Sequence, residues 1–439
     1  MPTAAFTTLG CKVNQYETQR ILDSFAEAGF GIVPFDQKAD VYVINTCSVT
    51  AIAESKSRYT IRKAARTNPE AKVVVTGCAA QMAINQNEEV ADAHVVVPNP
   101  EKLDTLDHLF RTHPEILDWV KSEPASQTEQ PPGRTRATLK IQDGCSVMCS
   151  YCSIPHTRPG LRSRPWREVL AEAQSMAEQG YKEAILTGVL IGAYDSETGS
   201  EGMGFEELVA LLARESGLPR LRISSIEMHQ VTERIIDLAR DSLIVPHFHI
   251  PLQCGDDQVL RDMNRRYDSA LYLRRCEEIR RALPDAVITT DILVGFPTET
   301  DERFQNSAKV VEEAKYVKAH VFRFSPRPGT PADQWGDPIS PQEKQRRAVE
   351  LTRIAEGTAQ NEIKRFLGRT MRVLVEGKMT KDGLLEGTTD NWLTVRFAGP
   401  ASMRRTLQWV RLDELRDGIV WGEWSQEPSA HRSALTLSN

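Results

Sequence analysis

Three cysteines stand close together near the middle of the chain, in the run Gly144-Cys145-Ser146-Val147-Met148-Cys149-Ser150-Tyr151-Cys152. They follow a short strand-like stretch, residues 138–142, and closely spaced thiolates usually bind a metal. A closed zinc site takes four ligands, and an iron–sulfur cluster that only carries electrons normally has four cysteines. Because this run supplies three, a cluster held here would keep one iron open to a substrate or cofactor. A zinc knuckle or three unrelated buried thiols are the alternatives.

Three further cysteines are far apart in the chain but share one position, directly after a predicted strand. They are Cys11, Cys47 and Cys78, and two of them follow a glycine. Scattered cysteines are often simply core residues. The carboxyl ends of parallel strands, however, line one crevice of an open sheet. The repeated placement therefore predicts that these three thiols converge.

The elements that position the scattered cysteines alternate between apolar strands and amphipathic helices over residues 1–113. Strands are predicted at 4–8, 41–45, 73–76 and 93–97, and helices at 15–28, 49–67 and 103–110. This alternation predicts an α/β fold with a doubly wound parallel sheet.

Residues 138–335 alternate in the same way, with about six strand–helix units. That number and spacing predict a partial TIM-like (β/α)6 barrel, whose chemistry collects in the loops at the carboxyl ends of the strands. Gly188, Ser224 and Glu227 stand in such loops. Glycine and serine after a strand are also ordinary turn residues.

The remaining segments differ in composition from these two domains. Residues 114–137 are polar and proline-rich, which indicates an interdomain linker. Residues 336–367 predict a charged connecting helix. Short alternating strands over 368–425 predict a small β-barrel, and residues 426–439 a disordered tail.

Composition limits the classes of partner. The 439 residues carry a net charge of −6, so DNA is not expected as a partner and any RNA contact must be local. No apolar run reaches the length of a membrane span, and the first residues lack a signal-peptide pattern. We therefore expect a cytoplasmic protein with reduced thiols and no membrane partner. Basic patches that could contact RNA, or could be solvated helix faces, occur at 158–167, 261–266, 344–347 and 404–405.

The central cysteine run and its flanks resemble the radical S-adenosylmethionine (SAM) enzymes. The flanking matches are Tyr151, Ile154-Pro155, Arg158, Arg162 and Arg164. The resemblance implies that Cys145, Cys149 and Cys152 hold a 4Fe–4S cluster that binds SAM and cleaves it to a 5′-deoxyadenosyl radical. It also implies that Gly188, Ser224 and Glu227 contact SAM, and it assigns no catalytic residue beyond the cluster ligands.

The runs around the scattered cysteines resemble one branch of these enzymes, the methylthiotransferases. The matching runs are residues 8–17, 45–50 and 77–81. The resemblance implies that Cys11, Cys47 and Cys78 hold a second 4Fe–4S cluster, which carries the sulfur to be inserted. It further implies a TRAM-like RNA-binding domain at 368–425, tRNA as a partner, and an electron donor such as a reductase or a flavodoxin-type protein.

Residues 11–17 and 47–50 are most similar to the branch that adds a methylthio group to C2 of threonylcarbamoyl-modified adenosine next to the tRNA anticodon. Other branches act on isopentenylated tRNA adenosine or on a ribosomal-protein aspartate, and a cluster-carrying RNA-binding or electron-transfer protein is the non-enzyme alternative. The chain departs from the family pattern at Pro159, Leu190, Cys254 and Thr298. Pro159 and Leu190 are expected near the substrate mouth, so they bear on the substrate more than on the reaction.

Overall fold

The computed structural model describes residues 1–121 and 134–427, which form two compact units. Within those residues the first unit comprises 1–121, 142–162 and 325–336, and the second comprises 134–141, 163–324 and 337–427. Residues 122–133 of the predicted linker and 428–439 of the predicted tail lie outside the described residues. The part of the linker at 115–121 is helical.

The amino-terminal part of the first unit is a five-stranded parallel sheet with helices on both faces. Its strands are β1 (Thr3–Thr8), β2 (Gly31–Val33), β3 (Val41–Thr46), β4 (Lys72–Gly77) and β5 (Val95–Val96). Its helices are α1 (Lys12–Glu27), α2 (Ala51–Thr67), α3 (Cys78–Asn85), α4 (Thr105–Thr112) and α5 (Glu115–Lys121). The strand order is β2-β1-β3-β4-β5, so the chain adds β2 on one side of β1 and then β3, β4 and β5 on the other side. This change of side confirms the doubly wound sheet.

The sheet is stable because its strands are buried on both faces. Every residue of β3 is buried, as expected for a continuous apolar strand in a parallel sheet. Ile21 and Phe25 of α1 pack with Leu109 of α4 on one face. On the other face, Ile61 of α2 packs with Ala80 of α3.

Residues 134–336 continue the alternation of strands and helices. The strands are β6 (Ala137–Lys140), β7 (Gln142–Asp143), β8 (Arg162–Ser163), β9 (Ala184–Thr187), β10 (Leu221–Ile223), β11 (His247–His249), β12 (Val287–Val294) and β13 (Lys318–Arg323). The helices are α6 (Ile154–Thr157), α7 (Trp166–Glu178), α8 (Phe205–Glu215), α9 (Glu233–Arg240), α10 (Asp257–Asp262), α11 (Ser269–Ala282), α12 (Asp301–Ala314) and α13 (Pro331–Gln334).

Six of these strands form the partial barrel of the second unit. The parallel sheets β6-β9-β10 and β11-β12-β13 are joined by a parallel bridge between Ser225 and His249. The order β6-β9-β10-β11-β12-β13 confirms the predicted partial (β/α)6 barrel.

The chain ends in a long helix and a small closed barrel, both predicted. The helix is α14 (Pro341–Lys364), and the barrel has the order β14-β15-β16-β18-β17. Its strands are β14 (Thr370–Val375), β15 (Leu385–Thr389), β16 (Thr394–Phe397), β17 (Leu407–Arg416) and β18 (Ile419–Ser425). No helix in the described ranges, α14 included, is apolar enough over a sufficient length to cross a membrane.

A buried ion cluster joins the partial barrel to the closed barrel within the second unit. Glu183, fully buried, accepts from Arg220 Nη2 at 2.8 Å and from Arg222 Nε at 2.8 Å. Both arginines also donate to the closed barrel, Arg220 to the Thr389 carbonyl at 3.0 Å and Arg222 to the Asp390 carbonyl at 3.0 Å. Glu183 pairs with both guanidinium groups, and Asp390 Oδ1 lies 3.2 Å from Arg220 Nε, so the junction depends on the charge of these carboxylates.

We predict that Glu183→Gln destabilises the second unit by about 3–5 kcal/mol at neutral pH, because it leaves buried arginines without their carboxylate. Burial by itself raises the pKa of Glu183, but Arg222 and Arg220 outweigh this effect and lower the pKa to about 2. The folded pKa thus lies below the ordinary value of 4.5, so the stabilisation is complete above that value and is lost as the pH falls toward 2.

Urea unfolding of wild type and Glu183→Gln across this pH range measures the effect. The matched control is Glu414→Gln, because Glu414 and its partner Arg416 are both more than half exposed and the pair should contribute little. A stability difference between wild type and Glu183→Gln that stays constant with pH would contradict the prediction.

Candidate functional site

The first unit brings the three scattered cysteines to the carboxyl ends of neighbouring strands. Cys11 follows β1 and is the residue that precedes the first turn of α1, where its carbonyl accepts from Gln15 at 3.1 Å. Cys47 follows β3 and Cys78 begins α3 directly after β4. Cys11 is exposed, whereas Cys47 and Cys78 are buried. We refer to Cys11, Cys47 and Cys78 as the strand-end triad.

The thiols of the strand-end triad are close enough to influence each other's charge. Burial, and then the neighbouring Cys78 and Cys11, raise the pKa of the Cys47 thiol to about 11. The amide of Asn99 lies 3.8 Å from Cys78 Sγ. Binding of a metal would have to displace a proton from Cys47, as it does for other thiolate ligands.

Gly10 makes room for the Cys47 thiol. A Cβ at this position would lie 2.6 Å from Cys47 Sγ, and the backbone has φ +93°. Both the space and the backbone conformation therefore require glycine. The glycine before Cys11, noted in the sequence, is thus part of the site.

The central cysteines lie in a loop between β7 and α6, also in the first unit. Cys145, Cys149 and Cys152, here called the loop triad, are all half-buried. The Cys152 amide donates to the Cys149 carbonyl at 3.0 Å, and Cys145 Sγ accepts from the Val147 amide at 3.5 Å. These bonds hold the loop in a compact turn.

The loop triad is electrostatically linked to the strand-end triad. Burial raises the pKa of Cys152 to about 12, and the thiols of Cys149, Cys145 and Cys78 contribute in the same direction. Cys78 belongs to the strand-end triad, so thiols of the two sets influence one another.

Gly144 fixes the start of the loop. It has φ +79°, and a Cβ there would lie 1.5 Å from the carbonyl oxygen of Gly160. No other residue fits this close approach of two backbone segments.

Gly188, Ser224 and Glu227, the residues expected to contact SAM, lie at strand carboxyl ends of the second unit. Gly188 follows β9, and the Ser224 amide donates to the Leu186 carbonyl at 3.0 Å after β10. The Glu227 carboxylate accepts from Arg265, whose side chain is 3% exposed. No local pattern in the sequence predicts this pairing of Glu227.

The sequence also did not identify a polar face shared by strands β11 to β13. His249 Nε2 lies 3.2 Å from Asp291 Oδ2, and Asp291 stands opposite His320 in the strand register. Phe322, two residues further along β13, is 43% exposed. Exposed rings on a strand are a surface on which a planar ligand can stack. The alternation of Lys318, His320 and Phe322 with Ala319 and Val321 was the sequence signal that could have revealed it.

Three of the four departures from the family pattern lie in ordinary environments in the second unit, whereas Pro159 is exposed in the first unit. Leu190 and Cys254 are buried, and Cys254 Sγ lies 3.2 Å from Ser307 Oγ. Thr298 Oγ1 donates to Asp262 at 2.6 Å. The eighth cysteine, Cys276, is also buried, and burial raises the pKa of both Cys254 and Cys276 to about 12.

Both triads fit an iron–sulfur cluster by their donor chemistry, since each presents thiols alone. Across residues 1–121 and 134–427, no three His, Cys, Asp or Glu side chains are gathered closely enough to bind a single metal ion. A 4Fe–4S cluster differs from a mononuclear zinc site because each thiolate binds a separate iron at a corner of the cube.

Comparison with known proteins gives a consistent result. Residues 3–97 match the description "Uncharacterized protein family UPF0004", and residues 139–311 match "Radical SAM superfamily". A Bacillus subtilis protein named "Threonylcarbamoyladenosine tRNA methylthiotransferase MtaB" is 37% identical, over 96% of both chains. The Thermotoga maritima protein of the same name is 35% identical, over 91% of this chain and 92% of its own.

A Symbiobacterium thermophilum protein named "tRNA-2-methylthio-N(6)-dimethylallyladenosine synthase" is 33% identical, over 100% of this chain and 96% of its own. Among solved structures, the radical SAM methyltransferase TsrM from Kitasatospora setae has a TM-score of 0.50 at 14% identity, over 76% of this chain and 75% of that chain. This likeness shows a shared fold.

The relatives span nearly the whole chain, and their names describe transferases rather than proteins that only carry clusters or bind RNA. The two cysteine triads agree with that assignment. The chain belongs to the radical-SAM tRNA methylthiotransferases, a family of transferases that use S-adenosylmethionine and two 4Fe–4S clusters.

Proposed function

We propose that this enzyme adds a methylthio group to C2 of threonylcarbamoyl-modified adenosine next to the anticodon in tRNA. The observation that carries the proposal is the presence of both cysteine triads in one compact unit, in a chain whose relatives at 35–37% identity bear this activity in their names. The enzyme would act in the cytoplasm and would receive electrons from a donor of the reductase or flavodoxin type.

We assign the loop triad as ligands of the cluster that binds SAM, and the strand-end triad as ligands of the second cluster. When bound, SAM and the first cluster would supply a carbon radical, and the second cluster would supply the sulfur to be inserted. The chain's own residues would hold the two clusters through their thiols and orient the base. They would also keep both clusters within reach of one adenosine, which is proximity catalysis.

Gly188, Ser224 and Glu227 would contact SAM. Gly188 allows close approach because it has no side chain. Arg265 already orients the Glu227 carboxylate, which would then accept from a polar group of SAM. The exposed rings of His320 and Phe322 on β13 would support the target base by stacking.

The closed barrel at 368–425 would be the TRAM-like module that contacts tRNA. Trp424 on β18 is 56% exposed, and its indole nitrogen donates to Gln408 at 3.0 Å, so its ring is held on the surface. Arg411 on the neighbouring strand is half exposed. An exposed aromatic ring can stack on RNA bases, and an exposed guanidinium group can contact phosphates.

Isopentenylated tRNA adenosine is a second candidate substrate. The Symbiobacterium relative, whose name specifies a dimethylallyl-modified adenosine, matches the whole chain at 33% identity. The two candidates differ in the group on N6, which is polar and charged in one and apolar in the other.

The ligand assignment predicts different effects for the two triads. Cys149→Ala should abolish 5′-deoxyadenosine formation, because it removes a ligand of the cluster that cleaves SAM. Cys47→Ala should keep SAM cleavage but lose one cluster and the methylthio product. Iron, sulfide and dithionite-driven SAM cleavage are measured on anaerobically reconstituted protein. Cys276→Ala, a buried thiol of the second unit, is the control and should keep both clusters. SAM cleavage by Cys149→Ala would contradict the assignment.

Gly10→Ala should also remove the second cluster, because the new Cβ would displace Cys47 Sγ from a position 2.6 Å away. Iron and sulfide should fall to about half of the wild-type content. Gly180→Ala is the matched control, since Gly180 has a similar φ of +87° but open space around its Cα. Equal iron contents in the two variants would show that Gly10 does not shape the site.

Purified tRNA carrying either modification distinguishes the two substrates. We expect threonylcarbamoyl-modified tRNA to react at least about a hundredfold faster than isopentenylated tRNA. When an apolar group enters a site built to hydrogen-bond a polar group, the polar side chains of that site lose their partners. Mass spectrometry of the digested nucleosides measures both products. Faster reaction of the isopentenylated tRNA would establish the second candidate.

A further inference from the structure

A cluster of buried polar side chains lies in the first unit, between the segments that carry the two triads. It consists of Arg158, Glu17, Asp143, Lys102 and Asn14, here called the Arg158 cluster. Arg158 Nη1 donates to Asp143 Oδ1 at 2.8 Å and to Glu17 Oε1 at 2.9 Å. Its Nη2 donates to Glu17 Oε2 at 2.7 Å and to Asn14 Oδ1 at 2.8 Å. Lys102 Nζ donates to Glu17 Oε2 at 2.7 Å.

The charges in the Arg158 cluster balance, with two cations and two carboxylates. The side chains of Arg158, Glu17 and Lys102 are at most 3% exposed, so water cannot replace a missing partner. Arg158 bonds three acceptors with one planar group, and lysine cannot reproduce that geometry. The arrangement of the three acceptors therefore depends on arginine at this position.

The Arg158 cluster is bonded to the segments that carry the strand-end triad. Glu17 and Asn14 lie on α1, which begins directly after Cys11. Asn14 Nδ2 donates to the Thr46 carbonyl at 2.9 Å, one residue before Cys47, and to the Leu9 carbonyl at 2.9 Å. Arg158 also counteracts the burial that raises the pKa of Cys47.

The same cluster is bonded to the loop that carries the second set of thiols. Asp143 precedes Gly144 and Cys145, and its Oδ1 accepts from the Gly144 amide at 2.9 Å. At the other end of the loop, the Thr157 carbonyl accepts from Asn99 Nδ2 at 2.7 Å. Asn99 is the residue whose amide approaches Cys78 Sγ.

We propose that Arg158 is a positioning residue that fixes the loop triad relative to the strand-end triad, and so sets the separation of the two clusters. The inference rests on the proposed ligand assignment. Arg158 touches neither substrate nor cofactor in this role; it acts through Glu17 and Asn14 on one side and Asp143 on the other. A residue that only stabilised the fold would leave the separation of the clusters unchanged.

The test compares Arg158→Lys with Arg162→Lys in the full chain. Both variants keep a positive charge on the same segment. Arg162 is the matched control because its side chain is 50% exposed and its nearest carboxylate oxygen, on Asp143, is 3.8 Å away. In anaerobically reconstituted, dithionite-reduced protein, pulsed electron paramagnetic resonance measures the dipolar interaction between the two reduced clusters. SAM cleavage and methylthio product on tRNA are measured on the same samples.

Arg158→Lys should keep the iron content and about half or more of the SAM cleavage, yet change the dipolar interaction and lose about ten- to a hundredfold of the methylthio product. The methylthio product requires both clusters to reach the same adenosine, whereas SAM cleavage needs only the cluster held by the loop triad. Arg162→Lys should leave the dipolar interaction at the wild-type value. A wild-type dipolar interaction in Arg158→Lys would overturn the proposal.

Hydrogen exchange of the metal-free full chain gives a second measurement that needs no cluster. Arg158→Lys should increase exchange of the amides at 142–157 and in the first turns of α1, and Arg162→Lys should not. Unchanged exchange in Arg158→Lys would overturn the proposal even where that variant loses a cluster. A wild-type protein that assembles a single cluster would instead overturn the ligand assignment, and the exchange results would still decide the role of Arg158.

Discussion

Side chains from distant parts of a chain can meet only where the fold places the ends of several strands side by side. In the first unit this place is the carboxyl edge of β1, β3 and β4, which are adjacent parallel strands. Cys11, Cys47 and Cys78 each follow one of them. The parallel register therefore brings together thiols that are separated by more than thirty residues, and the helices on both faces hold that register in place.

This arrangement places thiols where their charged form is unfavourable. Burial raises the pKa of Cys47 and of Cys152, which favours the neutral thiol at both positions. A buried set of balanced charges lies between the segments that carry the triads. Arg158, Glu17, Asp143 and Lys102 satisfy one another and connect the start of α1 to the start of the cysteine loop.

In the second unit, the contacts that anchor the closed barrel lie away from the carboxyl ends of the strands. Glu183 precedes β9 and Arg220 precedes β10, so the closed barrel is fixed at the amino ends of these strands. Gly188 and Ser224 lie at the opposite, carboxyl ends. In a barrel of this kind the carboxyl ends carry the chemistry and the amino ends carry the stability. The closed barrel is therefore anchored at the end of β9 and β10 that lies opposite Gly188 and Ser224.

The sequence alone determined the two cysteine sets, the alternation of strands and helices, and the small carboxyl-terminal barrel. These features follow from local spacing and hydrophobic period, which one sequence displays directly. It did not reveal β2, a three-residue edge strand, or helix α5 within the predicted linker, because such short elements have too few residues for a period. Only the tertiary structure decided that Arg158 pairs with Glu17 and Glu183 with Arg220 and Arg222. Partners of buried charges are chosen by packing between distant segments, and no local pattern encodes them.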